Sequence, residues 1–178
     1  TYTATDGVSS GTANLDISVT PANDAPTTST VTLAASPEYT AHTITAADLL
    51  GKAADPDGDM LSVSNVTVDH GTIVANSNGT WTYTPDANFN GQVSFSYTIT
   101  DNGTTNGAAD PLSVPGSATL AVTPVNDAPT TSLVTLSAIA EDSGAHTISA
   151  AELLGKASDV EHDTLSISNV SVDHGSIV

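Results

Sequence analysis

The stretch "AADPDGDMLSVSN" sets Asp55, Asp57 and Asp59 within five positions of one another. Three carboxylates this close repel unless something neutralises them, and the chain has only two basic side chains, Lys52 and Lys156, to do so. The formal charge of the 178 residues is −18. Such a field argues against nucleic acid and anionic membrane surfaces as partners and leaves cations as the natural complement.

The rest of the composition bounds what holds these carboxylates. With 38% hydrophobic and 12% charged residues, the chain is not a highly charged disordered segment. Ser, Thr, Val and Ala dominate, a palette suited to β-structure. No cysteine is present, so stability must come from core packing or from metal rather than from disulfides. No stretch approaches the length of a membrane-spanning helix, and "TYTATDGVSSG" lacks the basic start and apolar centre of a signal peptide.

The sequence repeats itself. Residues 41–74 return as residues 145–178 with 24 of 34 positions identical, and most of the changes are Thr/Ser, Asp/Glu or Val/Ile swaps. "PANDAP" (21–26) recurs as "PVNDAP" (124–129). At the start, "TYTATDG" (1–7) echoes "SYTITDNG" (96–103), and "LDISVTPANDAP" (15–26) echoes "ATLAVTPVNDAP" (118–129). This divides the chain into the C-terminal strands of one unit (1–22), a whole unit (23–125) and the N-terminal half of another (126–178). The pattern reads as a window on a longer tandem array in which each unit is a domain. The two end pieces are expected to have unpaired strand edges and incomplete cores.

Within the whole unit, alternating runs predict strands at 29–33, 42–45, 61–68, 72–75, 80–84, 93–100 and 118–123. Between them lie "DPDGD", "DHG", "NSNG", "PDANFNG" and "DNGTTNG", all turn chemistry. Seven strands at this spacing predict an all-β, Ig-like seven-stranded sandwich, with one helical turn in "TAADLLG". Trp81, Tyr83, Phe89, Phe95 and Tyr97 are the expected aromatic core.

Taken together, "LLGKAADPDGDMLSV", "HGTIVANSNGTWTYTPDANFNG", "FSYTITDNG" and "VTPVNDAP" resemble bacterial cadherin-like tandem repeats of large, type I-secreted surface adhesins. The resemblance covers essentially the whole chain. It implies that "NDAP" is a shortened interdomain calcium linker, and that the chain is extracellular and displayed at a bacterial surface.

Alternating strand direction then places the 55–59 loop, Asp101 and the linker residues Asn23 and Asp24 at the entry end of the sandwich. Glu38 and the loop carrying Asp86 fall at the exit end, facing Asn126, Asp127, Asp159, Glu161 and Asp163 of the following unit. Six to eight oxygen ligands suit Ca²⁺ better than Mg²⁺, which demands a tighter octahedron. The expected role is that of a calcium-rigidified spacer, a monomeric rod whose partners are calcium ions and neighbouring repeats, with no direct membrane insertion and no enzymatic activity. The alternative is that the repeat itself binds a glycan or a like repeat. Two departures predict unequal junctions: "DPDGD" becomes "DVEHD", and "EDSG" (141–144) becomes "PEYT" (37–40) with one acidic residue fewer.

Other motifs carry less. Counted from Asp55, the loop has Met60 sixth and Val66 twelfth, where an EF-hand needs Gly and Glu. "GVSSG" (7–11) matches a nucleophile elbow in letters, but its setting is a turn between strands. Asp69–His70 and Asp173–His174 sit in "DHG" turns, as caps rather than as part of a triad. The five histidines form no zinc spacing.

Overall fold

The computed structural model describes residues 1–177. Its architecture follows from strict alternation in two long strands, β9 (Gly91–Thr100) and β12 (Ser113–Thr123). Val93, Phe95, Tyr97 and Ile99 of β9 and Ala118, Leu120 and Val122 of β12 all face one side and are buried. The two strands pair antiparallel, with Phe95 opposite Ala118 and Val93 opposite Leu120. Period-two burial of this kind makes one face of a sheet apolar and obliges a second layer to cover it.

The strands in chain order are β1 (Tyr2–Thr5), β2 (Ser10–Ala13), β3 (Val31–Thr32), β4 (Ser36–Pro37), β5 (His42–Thr45), β6 (Ser62–Val68), β7 (Thr72–Ala75) and β8 (Thr80–Thr84), then β9. A short hairpin of β10 (Thr104–Thr105) and β11 (Ala108–Ala109) precedes β12. One sheet runs β3-β12-β9-β6, with β4 joining the same edge of β12 as β3, and the second runs β5-β8-β7. Tyr83 of β8 meets Phe95 of β9 edge to face, ring centroids 5.2 Å apart, and both are fully buried. Ile44 of β5 and Leu49 complete this layer contact. The fold is an all-β sandwich of two sheets.

Three of the five expected core aromatics (Tyr83, Phe95 and Tyr97) are buried, whereas Trp81 and Phe89 only pack against the core from its margin. Among the described residues there are two one-turn helices, α1 (Ala46–Leu49) and α2 (Ala150–Leu153). Each has a capping box: Thr45 with Asp48 in the first, Ser149 with Glu152 in the second.

The flanking segments repeat fragments of this unit. β1 and β2 pair with Tyr2 opposite Ala13 and Thr5 opposite Ser10. That register matches Tyr97 opposite Gly116 and Thr100 opposite Ser113 in the whole unit. Both strands are exposed along their length. Leu15, Ile17 and Val19, which echo the buried Ala118, Leu120 and Val122, are exposed as well. Residues 126–177 hold α2 and an isolated bridge between Thr130 and Ser158, matching that between Thr27 and Ala54, and no strand among the described residues.

Candidate metal centres

The first centre is built where β9 ends and the linker enters. Asp55 follows Ala54, which the Thr27 bridge pins to the linker side. One oxygen of Asp55 accepts the backbone N–H groups of Asp57 (2.9 Å) and Asp59 (3.1 Å), and Gly58 supplies the left-handed turn at φ +81°. That loop gathers one carboxylate oxygen each from Asp55, Asp57 and Asp59 to within 4.8 Å of one another.

Asp101, at the foot of β9, is only 4% exposed. Its Oδ1 accepts from Leu112 N–H (2.8 Å), Gly103 N–H (3.1 Å) and Asn23 Nδ2 (3.1 Å). Burial pushes the Asp101 carboxyl up, but these donors outweigh it and hold it below its ordinary value. Asp59 goes the other way. Loss of water and then the charges of Asp55, Asp57 and Asp101 raise it.

The linker is clamped by the β10–β11 hairpin, whose Asn106–Gly107 turn has both residues at positive φ. Asn106 N–H donates to Pro21 O, Asn23 N–H to Thr105 Oγ1, and Asn23 Nδ2 to Asp110 O. Gly103 leaves no room for a side chain, since a Cβ there would lie 1.9 Å from Asn23 Oδ1. Asp24 is exposed and joins through its backbone N–H, which donates to Asp57 Oδ2 at 2.8 Å.

The second centre lies where the whole unit meets the following linker. Glu38, directly after β4, is 1% exposed, and its Oε1 accepts from Val125 N–H at 2.6 Å. Glu161 Oε2 accepts from Asp127 N–H (3.2 Å), repeating the Asp57–Asp24 contact with a longer arm. Asp159 Oδ1 accepts from Glu161 N–H and Asp163 N–H, repeating Asp55. His162 takes the place of Gly58 and keeps a positive φ of +63°. The Tyr39 hydroxyl lies against Asp127 and Asn88. Its pKa is pushed up to about 12, first by the hydrogen bond to Asp127, then by burial and the charges of Asp127, Glu38 and Glu161.

Not every expected ligand comes in. Asp86 stands in the exit-end loop, but its Oδ2 accepts from Gly71 N–H (2.8 Å) and so caps the "DHG" turn. Asn126 and Asp163 are exposed, and Asn126 donates to Asp127 O. In the same turn Asp69 Oδ1 accepts from Ser94 N–H (2.8 Å), while His70 stacks on Phe89. The sequence reading missed Thr105, Asp110, Tyr39 and Asn88. The Asn-Gly pair was the available signal for the hairpin that carries two of them. Tyr39 and Asn88 carried none.

Six buried side-chain polar atoms among the described residues lack a hydrogen-bond partner, and five of them lie in these two centres. Asn23 Oδ1, Asp55 Oδ2 and Asp101 Oδ2 belong to the first, Glu38 Oε2 and Glu161 Oε1 to the second. An unpaired buried carboxylate oxygen is costly in any folded protein. An oxygen-coordinated cation at each centre would satisfy all five, and the donor sets fit a hard divalent ion.

The unit is a β-sandwich repeat domain with unpaired buried oxygens collected at both ends. Residues 22–114 and 125–178, well over half of the chain, match the family model for the cadherin-like domain. The chain belongs to that family. No curated protein matches it. Among solved structures it is similar to an endo-fucoidan hydrolase of glycoside hydrolase family 107, with 20% identity and a TM-score of 0.39. That match covers 69% of this chain and spans 18% of the hydrolase's length.

Proposed function

We propose that the chain is a calcium-rigidified extender repeat of a bacterial cell-surface adhesin, non-catalytic, holding a distal binding domain away from the cell. The observation that carries this reading is the sorting of unpaired buried oxygens into two sets, one at each end of the 23–125 unit. Each set draws on residues remote in sequence: Asn23, Asp55 and Asp101 in one, Glu38 and Glu161 in the other.

The chemistry is electrostatic. With the ion bound, Asp55, Asp57, Asp59 and Asp101 are neutralised together, and the linker residue Asn23 becomes part of the same coordination shell. The linker then has one orientation relative to the sandwich. Without the ion, carboxylates within 4.8 Å of one another repel, and little basic charge exists to relieve them. Extracellular modules bind calcium at about 10⁻⁴ to 10⁻³ M. Such a linker is stiff outside a cell and loose in a low-calcium cytosol, which suits export as a flexible chain. Among the described residues no helix is long and apolar enough to cross a membrane.

Small-angle scattering tests the mechanical claim. The maximum dimension is expected to be well defined and longer in millimolar calcium, and to become shorter and more heterogeneous in chelator. Identical scattering profiles in the two buffers would sink the reading.

A further inference from the structure

The two centres are not equivalent, and the difference sits at Tyr39. Glu38 and Tyr39 form a tight turn with Tyr39 at φ +62°, and the matching turn of the next repeat is Glu141–Asp142, with Asp142 at φ +61°, one residue out of the register that lays "EDSG" over "PEYT". Asp and Asn tolerate that left-handed conformation, whereas a bulky aromatic is seldom found there. The fold therefore sets the turn, and Tyr39 occupies it against its own backbone preference. Asn88, which also meets the phenol hydroxyl, is left-handed at φ +60°.

The ring itself is exposed at 48%, so core packing does not account for Tyr39. Its hydroxyl does something an aspartate at that position could not. It donates to Asp127 of the following linker while lying against Asn88 of its own unit. A phenol has one proton, and the charged Asp127 is the stronger acceptor. Asn88 Oδ1, which faces the phenol, is the alternative acceptor for that proton. The hydrogen bond from Tyr39 to Asp127 spans the junction.

We infer that Tyr39 is a latch: a positioning residue that holds this junction without metal, in place of the extra carboxylate that the matched turn carries at Asp142. Two consequences follow. The junction after residue 125 stays aligned in chelator. It also binds calcium more weakly than an aspartate version would, because one Asp127 oxygen is engaged by the phenol and one negative charge is missing. The latch itself needs no ion, and only this second consequence rests on the function proposed above. An array built from such units would have joints of graded calcium dependence.

The chain has no cysteine, so Gln92→Cys and Ala151→Cys, both at exposed positions, place spin labels on either side of the junction. Pulsed dipolar spectroscopy then reads the spread of distances. In chelator the labelled chain is expected to give a narrow distribution, Tyr39→Phe a broad one, and Tyr39→Asp the broadest. In excess calcium all three are narrow, and a calorimetric titration reads the calcium midpoint of each. The calorimetric midpoint shifts to about tenfold lower calcium for Tyr39→Asp than for the parent, in line with one hydrogen bond to a charged group lost and one ligand charge gained.

Equal widths for the parent and Tyr39→Phe in chelator would overturn the latch. A midpoint for Tyr39→Asp equal to or above the parent's would overturn its effect on the cation. Failure of calcium to narrow any variant would overturn the calcium reading, while the chelator comparison would still decide the latch.

Discussion

Asp101→Asn is expected to depend on calcium: only modestly less stable than the parent in chelator, and much less stable than the parent in excess calcium. The asparagine keeps an oxygen where Leu112 N–H, Gly103 N–H and Asn23 Nδ2 now donate, so the turn is retained. What it removes is the negative charge behind Oδ2, a buried oxygen with no partner. Without metal the three donors still favour that charge, so its loss costs some stability, partly offset because it relieves Asp59, which Asp101 helps to raise. With metal the same charge is a ligand. Its loss is expected to weaken calcium binding at the first centre on the order of a hundredfold, given how strongly ligand charge tunes such sites. At a calcium concentration a hundred times Kd, the parent gains about 2.7 kcal/mol from the ion, and the variant forfeits most of that gain. Thermal melts of both proteins in chelator and in calcium, with a calorimetric titration of each, check all parts. A variant less stable in both buffers by the same amount would mean that Asp101 is a structural cap and nothing more.

The second large effect is structural. Gly71→Ala is expected to destabilise the 23–125 unit by about 3 kcal/mol or more, from a left-handed backbone and an overpacked contact acting together. Gly71 has φ +89°, and a Cβ there would lie 2.3 Å from Thr84 O, 2.9 Å from Tyr83 Cε2 and 3.1 Å from Pro85 Cα. Two of these neighbours are backbone, and the Tyr83 ring is fully buried against Phe95, so none has somewhere to go. The same turn is pinned by Gly71 N–H to Asp86, which a shift would break. For a unit of this size the melting temperature falls by roughly 15 °C or more. The chain carries its own control. Gly175 fills the matched position at φ +97° with nothing within 4 Å of its would-be Cβ. Gly175→Ala is expected to leave the melting of the 23–125 unit unchanged. If Gly71→Ala were equally silent, the packing of Tyr83 between the sheets would be wrong.

Much of this was legible because burial in a sandwich alternates. Val93, Phe95, Tyr97 and Ile99 announce β9 by spacing alone, and six of the seven anticipated strands begin or end within two residues of their expected bounds at both ends. β12 is the exception. It starts at Ser113 rather than near Ala118, because Pro115 and Gly116 read as breakers. In the fold, β3 joins that edge of β12 only at Ala118, so a residue lacking an N–H is tolerated before it. Gly116 sits where a Cβ would lie 2.2 Å from the Tyr97 ring, whose hydroxyl reaches Leu49 O and Ser117 O. Such a close approach leaves no periodic trace. Two-residue strands such as β4 are equally silent, although β4 is what delivers Glu38 into the second centre.

The candidate ligands divide in the same way. Asp55, Asp57 and Asp59 advertise themselves by clustering, and Asp101 by its place at the end of a strong strand. Asp86 shows the limit of that logic. An Asp in an exit-end loop is equally suited to cap a turn, and only the position of Gly71 decides between the two. Tyr39 shows the opposite failure, since nothing in "SPEYT" marks a tyrosine as a contact across a junction.

The central claim is that carboxylates far apart in sequence share an ion at the seams. Long-wavelength anomalous diffraction from crystals grown in calcium tests it most directly. Anomalous peaks are expected in two places: among Asn23, Asp55, Asp57, Asp59 and Asp101, and among Glu38, Asp127 and Glu161, with oxygens at about 2.3–2.6 Å. An ordered crystal with no peak at either place, and with Asp55 Oδ2 and Asp101 Oδ2 hydrogen-bonded to water instead, would contradict it.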